Sequence, residues 1–132
     1  MHFYHGLDIV DIRRVKTLYE RFGSRFTNKI LSENEINYLK RFSNETLLRK
    51  ISDAFATKEA TSKALGTGFS QGIIMRNIEL QNDELGKPYI ILNGQAKIKA
   101  DQLKGSNKNK IFVTSISNEK NYVVASVNLI FF

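Results

Sequence analysis

The sequence predicts an α+β fold in a single domain covering residues 1–132. Three observations carry this. Apolar residues at helical spacing fill the first half, up to a glycine at position 66. The second half ends in two strand-like runs joined across a short polar turn, and helices early with antiparallel hairpins late describe α+β. The length fits one domain, at about 100–150 residues, and no repeat, low-complexity tract or linker divides it.

Met1 to Ile12 reads as a short strand entering a helix, with Ile9, Val10 and Ile12 apolar around Asp8 and Asp11. From Arg13 to about Phe26, Val15, Leu18, Tyr19, Phe22 and Phe26 share one helical face. Gly23 costs such a helix about 1 kcal/mol relative to alanine and offers a break. Ser32 to Phe42 fits a second helix, opened by Ser32 and Glu35 as a capping box. The clearest helix runs from about Glu45 to Leu65, with Ser43 or Asn44 as its N-cap and Gly66 as its stop.

Strands are predicted at Ile73–Met75, Ile78–Gln81 and Tyr89–Leu92. The turn Asp83 to Gly86 joins the latter two into a hairpin, and Pro88 favours an edge position. Gln95 to Leu103 is helical and ends at Gly105. Ile111–Ser117 and Tyr122–Phe132 are then paired strands across Asn118 to Asn121.

Composition narrows the function. Cysteine is absent, which excludes disulfides, thiolate zinc sites and cysteine nucleophiles. Twenty basic against thirteen acidic residues leave +7, a balance suited to a nucleic acid, a phosphorylated small molecule or an acidic protein. The aromatic-plus-basic patterns of RNA modules do not appear. The longest uncharged apolar run, Tyr122 to Phe132, is far short of the ~20 residues of a membrane helix. Asp8 and Asp11 stand where a secretion signal would be apolar. A soluble, cytoplasmic protein is therefore expected, with no membrane association.

The residue types available for chemistry are few. Glu59 and Lys63 lie one turn apart on one face of the long helix. Beside them Ala56, Ala60 and Ala64 form a line of small side chains that would let another backbone approach closely. Taken alone, Glu59 and Lys63 read as an ordinary solvated ion pair worth about 0.3–0.5 kcal/mol, and Asp8 reads as a turn or cap. Gly66, Thr67 and Gly68 serve equally as a helix terminator and as a loop that lets a ligand approach. Gly86, Lys87 and Pro88 alone read as a turn. His2 and His5 are given no role.

These pieces gain meaning together. Gly6-Leu-Asp-Ile-Val-Asp-Ile-Arg-Arg14, Phe55-Ala-Thr-Lys-Glu-Ala-Thr-Ser-Lys63 and Ala64-Leu-Gly-Thr-Gly68 follow one another in order. Asn82-Asp-Glu-Leu-Gly-Lys-Pro88, Thr114-Ser-Ile-Ser117 and Ala125-Ser-Val127 come after them. The set resembles the holo-acyl-carrier-protein synthases, a type of 4′-phosphopantetheinyl transferase, over essentially the whole chain. The resemblance implies the phosphopantetheinyl transferase fold, an antiparallel sheet packed against a long central helix and shorter helices. It implies transfer of the 4′-phosphopantetheine group of coenzyme A to a serine of apo-acyl carrier protein, releasing 3′,5′-ADP, in support of fatty acid biosynthesis.

By the same resemblance Asp8 and Glu59 match two Mg2+ ligands, and Lys63 matches a lysine on the coenzyme A phosphates. That is sensible chemistry, because magnesium takes one or two carboxylates and completes its octahedron with waters and phosphate oxygens. Glu59, or a metal-bound water beside it, is the candidate acceptor of the serine proton. Gly66, Thr67 and Gly68 match a loop beside the pantetheine arm, and Gly86, Lys87 and Pro88 a hairpin near the adenine end. Arg14 matches a contact to the acidic carrier protein. Spacing alone adds Arg21 and Arg25 to Arg14 as one basic line at i, i+7 and i+11, which electrostatics would use to speed and orient encounter. The family also implies a homotrimer with active sites between subunits. The apolar stretch Val127–Phe132 suits burial against a copy or inside the monomer.

Two departures from the family pattern stand out. Asn118 occupies the place where many members carry a histidine, so a histidine base there is excluded. Ala54 stands where many carry an arginine, so one phosphate contact is missing or comes from elsewhere, with Arg49 and Lys50 the candidates. Two other functions fit parts of the sequence. A basic binding module explains the charge but leaves Asp8, Glu59 and Lys63 without purpose. A magnesium-dependent hydrolase of nucleotide pyrophosphates would use the same trio.

Overall fold

The computed structural model describes residues 1–132. It begins with a ten-residue strand, β1 (His2–Asp11), followed by α1 (Ile12–Phe22), α2 (Ser24–Ile30), α3 (Glu33–Leu39) and α4 (Asn44–Leu65). A 3₁₀ turn at Met75–Asn77 leads into β2 (Ile78–Asn82) and β3 (Pro88–Leu92). Then come α5 (Gly94–Lys104), β4 (Lys110–Glu119) and β5 (Tyr122–Phe131). No helix is long and apolar enough to cross a membrane.

Each boundary has a local cause. The Asp11 carboxylate accepts from the Arg13 N–H at 2.9 Å and caps α1. Gly23, at φ 54°, ends that helix and starts the next, so the single helix expected over Arg13–Phe26 is two. The capping box of α3 is present: Ser32 accepts from the Glu35 N–H, and Glu35 accepts from the Ser32 N–H. Ser43 is the N-cap of α4, without a side-chain bond. Gly66 closes that helix in the left-handed region at φ 78°, with the Thr67 and Gly68 N–H groups donating to the Ser62 carbonyl. The strand expected at Ile73–Met75 does not form. Ile73 is buried in the core instead, and the 3₁₀ turn begins two residues later.

Three strands make one antiparallel sheet in the order β1-β5-β4, while β2 and β3 form a separate hairpin. The register sets Asp8 opposite Ala125 and Thr114 opposite Val127. The β4–β5 pairing is as expected, but β4 runs further than predicted at both ends and leaves only Lys120 and Asn121 to turn. β5 is the central strand. Its Val123, Ala125, Val127, Leu129 and Phe131 are fully buried against α4, so the terminal apolar stretch packs inside the monomer and is not an exposed edge. The opposite face of the sheet is apolar and open, from Val113 at 40% exposure to Ile9 at 63%, with Phe3, Leu7 and Ile111 between.

Two features fix α4. Ala56, Ala60 and Ala64 are buried, and β1 crosses them at Gly6. A β-carbon on Gly6 would lie 1.8 Å from the Ala60 carbonyl oxygen and 2.8 Å from the Ala64 nitrogen. The close approach expected of the small-residue line is thus met by a glycine on the facing strand. On its other side α4 buries Lys58 completely. The Lys58 ammonium donates to Glu35 Oε1 at 2.6 Å, to the Met75 carbonyl at 3.0 Å and to the Ile78 carbonyl. Glu35 in turn accepts the Leu80 N–H at 3.1 Å. One buried ion pair therefore ties α3, α4, the 3₁₀ turn and β2 together.

Candidate active site

Gly6 brings β1 onto α4, and the next residues of that strand supply the site. Along β1 the even positions point toward α4, so Asp8 faces the helix while Leu7 faces away. Lys63 Nζ donates to Asp8 Oδ1 at 2.9 Å and to the Leu7 carbonyl at 3.0 Å. Lys63 is half exposed and Asp8 mostly covered, so the pair sits at the rim of the helix–sheet interface.

Glu59 lies one turn before Lys63 and is half-buried. Burial raises its pKa first, and the nearby Asp8 carboxylate raises it further, while Lys63 and Arg14 pull it back. Those influences place four groups in one field: Asp8 from β1, Glu59 and Lys63 from α4, and exposed Arg14 from α1. Nowhere do three or more histidine or acidic side chains converge. Asp8 and Glu59 are instead a pair of hard oxygen donors, a set that fits a magnesium ion completed by waters and phosphate oxygens.

The remaining candidates fall into two further places. Gly66, Thr67 and Gly68 form the exit from α4 just past Lys63. A β-carbon on Gly66 or Gly68 would meet nothing within 4 Å, so the glycines serve backbone shape and leave open space. At the β2–β3 turn Gly86 has φ 82°. The Asp83 carboxylate accepts the N–H groups of Leu85 at 2.9 Å and Lys87 at 2.8 Å. Asn82 donates to the Gly86 carbonyl at 3.1 Å, and Pro88 opens β3 opposite Asn82.

Asn118, near the end of β4, reaches toward α4 and donates to Asp53 Oδ1 at 3.5 Å. Asp53 also lines a small open cleft together with Tyr38, Lys50, Ala54, Leu80 and Asn82. Burial pushes the Asp53 carboxyl up to about 6, against Lys50, Asn118 and Arg49, which favour ionisation. Asp53 thus stands between Asn118, its hydrogen-bond partner, and a cleft that reaches Asn82 of β2, and it lies about 9 Å along α4 before Glu59 at 1.5 Å per residue. Sequence reasoning missed Asp53. Its position beside Ala54, where the family pattern is broken, was the available clue.

The basic line is rearranged. Arg14 and Arg21 lie on α1, whereas the break at Gly23 moves Arg25 to α2. Arg21 and Arg25 converge on the Phe22 ring, at 5.2 and 5.8 Å from its centre, and all three arginines are exposed. The histidines stay outside the site: His2 contacts the Leu103 carbonyl and His5 contacts Asn128.

Comparison with known proteins places this geometry in context. A sequence model of the 4′-phosphopantetheinyl transferase superfamily matches residues 5–127. The chain is 40% identical over 124 residues to a holo-[acyl-carrier-protein] synthase of Vibrio cholerae, covering 94% of each protein. Among solved structures, the holo-[acyl-carrier-protein] synthase of Neisseria meningitidis superposes with a TM-score of 0.81 at 32% identity, covering 96% of each chain. The synthase of Bacillus anthracis in complex with coenzyme A (3′,5′-ADP) superposes with a TM-score of 0.77 at 32% identity, covering 96% of this chain and 94% of that one.

Proposed function

Since the chain belongs to the 4′-phosphopantetheinyl transferase superfamily, we propose that it transfers the 4′-phosphopantetheine group of coenzyme A to a serine of apo-acyl carrier protein, in support of fatty acid biosynthesis. The products are holo-acyl carrier protein and 3′,5′-ADP. The observation that carries this reading is the meeting of Asp8, Glu59 and Lys63 where β1 crosses α4.

The serine oxygen attacks the phosphorus on the pantetheine side, a new P–O bond forms, and the P–O bond to 3′,5′-ADP breaks. Lys63, half exposed and two-handed in its hydrogen bonds, offers its ammonium to the pyrophosphate oxygens. Asp8 and Glu59 are the residues to hold Mg2+; when bound, the ion supplies positive charge beside the pyrophosphate. Glu59 takes the serine proton, a role helped by the upward shift that burial and Asp8 impose. Gly66–Gly68 lie along the pantetheine arm, and Gly86, Lys87, Pro88 and Asn118 face the adenine end. Arg14, Arg21 and Arg25 meet the acidic carrier protein and orient its approach.

The working form is a homotrimer with sites between subunits. The open apolar face of Phe3, Leu7, Ile9, Ile111 and Val113 supports it, because so large a patch invites burial against copies of the chain. The enzyme works in the cytoplasm, without a nucleic-acid or membrane partner.

The test is intact-mass analysis of an apo-acyl carrier protein incubated with the chain, coenzyme A and magnesium. A gain of about 340 Da, requiring both magnesium and Glu59, supports the reading. No gain from folded protein supplied with coenzyme A and magnesium, across several carrier proteins, would overturn it. Release of 3′,5′-ADP without carrier modification would point instead to a hydrolase.

A further inference from the structure

Lys63 serves the pyrophosphate of coenzyme A in the transfer, yet its ammonium is already engaged. It donates to Asp8 Oδ1 at 2.9 Å and to the Leu7 carbonyl at 3.0 Å, and both acceptors belong to β1. Asp8 is also one of the two carboxylates that fit a magnesium ion. One carboxylate is thus claimed by two cations, and one ammonium by two anions. The partners differ in freedom. The Asp8 side chain is 15% exposed on a paired strand, whereas Lys63 is 52% exposed on a flexible four-carbon stem. The lysine is the member that can leave.

We propose that Lys63 holds the place of the metal on Asp8 and yields it to the pyrophosphate, so that coenzyme A and magnesium bind cooperatively through one exchanging ammonium. This rests on the coenzyme A reading above and adds a coupling between its two ligands. The local charges give the direction. Asp8 and Glu59, when ionised, bring two negative charges, and Lys63 and Arg14, the cations that act on Glu59, bring two positive ones. Asp11 is already paired with Arg13. The four charges balance, so a dication alone gains little from their field and must also lift the ammonium off Asp8. Coenzyme A alone draws the ammonium away and leaves two carboxylates in one field without it. Bound together, each ligand relieves the other of its obstacle, and the coupling is the same factor in both directions.

Metal binding by the full chain and by Lys63→Met, with and without coenzyme A, tests this. Mn2+ stands in for magnesium, since both take carboxylate and water oxygens, and electron paramagnetic resonance reads the unbound ion. Coenzyme A titrated without protein gives the metal that the ligand holds by itself. In the absence of coenzyme A the variant should bind Mn2+ about fivefold more tightly than the wild type, the scale of one partly exposed ion pair given up. Coenzyme A should tighten Mn2+ binding to the wild type, and this tightening should shrink by about the same factor in the variant. Lys63→Arg keeps the cation and should return the metal affinity of the protein alone to the wild-type level, which separates a charge on Asp8 from mere packing. A folded Lys63→Met that binds Mn2+ no better than the wild type, or a coupling that the substitution leaves unchanged, overturns the proposal. Coenzyme A that binds the wild type without altering its Mn2+ affinity also overturns it and leaves the coenzyme A reading standing. A folded wild type that binds no coenzyme A, with metal or without, fails that reading and the proposal with it.

Discussion

Replacing Gly6 by alanine should damage this protein more than any other single added methyl group on β1. The new β-carbon would stand 1.8 Å from the Ala60 carbonyl oxygen, where ordinary contact begins at 3.4 Å. β1 and α4 must then separate locally by roughly 1.5 Å, because the obstacle is main chain and no rotamer relieves it. Overpacking of a core commonly costs about 1–3 kcal/mol, and this case belongs at or above the upper end. The separation also pulls Asp8 away from Lys63, whose contact is 2.9 Å, so ligand binding should weaken with stability. Urea unfolding followed by far-ultraviolet circular dichroism gives the magnitude. The double variant with Ala60→Gly sharpens it: removing the Ala60 methyl leaves the offending carbonyl in place and should restore nothing. A stability loss below about 1 kcal/mol, or recovery in the double variant, would refute the claim that backbone contact sets this crossing.

Asp53→Asn should stabilise the fold at alkaline pH. The folded-state pKa is raised to about 6 from 3.8, so the folded protein holds this proton more tightly than the unfolded chain does. The favourable state is complete below about pH 4 and is lost as pH rises through 6, which leaves a penalty of about 3 kcal/mol above pH 7 that asparagine avoids. Urea midpoints at pH 4.5 and 8 should therefore converge at the lower pH and diverge at the higher. Lys58→Met should cost about 3–5 kcal/mol by equilibrium unfolding, since it strands Glu35 and two buried carbonyls without their donor. Reversing Arg21 and Arg25 to glutamate should slow association with an acidic carrier protein about tenfold at low salt, and leave the rate at saturating carrier unchanged, as stopped-flow and steady-state assays would separate.

What was legible in the sequence was local. The Ser32–Glu35 capping box, the Gly66 stop and the β2–β3 hairpin each depend on residues within four or five of one another, and each forms as expected. The Asp8, Glu59 and Lys63 set was legible only through family resemblance, because nothing in spacing ties residue 8 to residue 63. Contacts across the chain were hidden. Lys58 looks like any lysine of a charged helix until Met75 and Ile78 close over it. Gly6 looks like flexibility until Ala60 is seen behind it. Ile73–Met75 has strand composition but lacks a partner strand, and tertiary packing turned it into core and a 3₁₀ turn.

The antiparallel order β1-β5-β4 has a consequence for how the protein comes into being. β1 is hydrogen-bonded to β5 alone, and residue 8 faces residue 125. A ribosome adding ~5–20 residues per second delivers the first partner about 6–23 s before the second. During that interval the nascent segment holding Asp8 has a helix to lean on but no strand to pair with. The strand that carries Asp8 therefore has no pairing partner until β5 has been made, and β1 and β4 are joined into one sheet only through β5. Chaperones that shield unpaired strand edges would find their client in this waiting state, and mutations in β5 would be felt as failures of assembly well before they were felt as failures of chemistry.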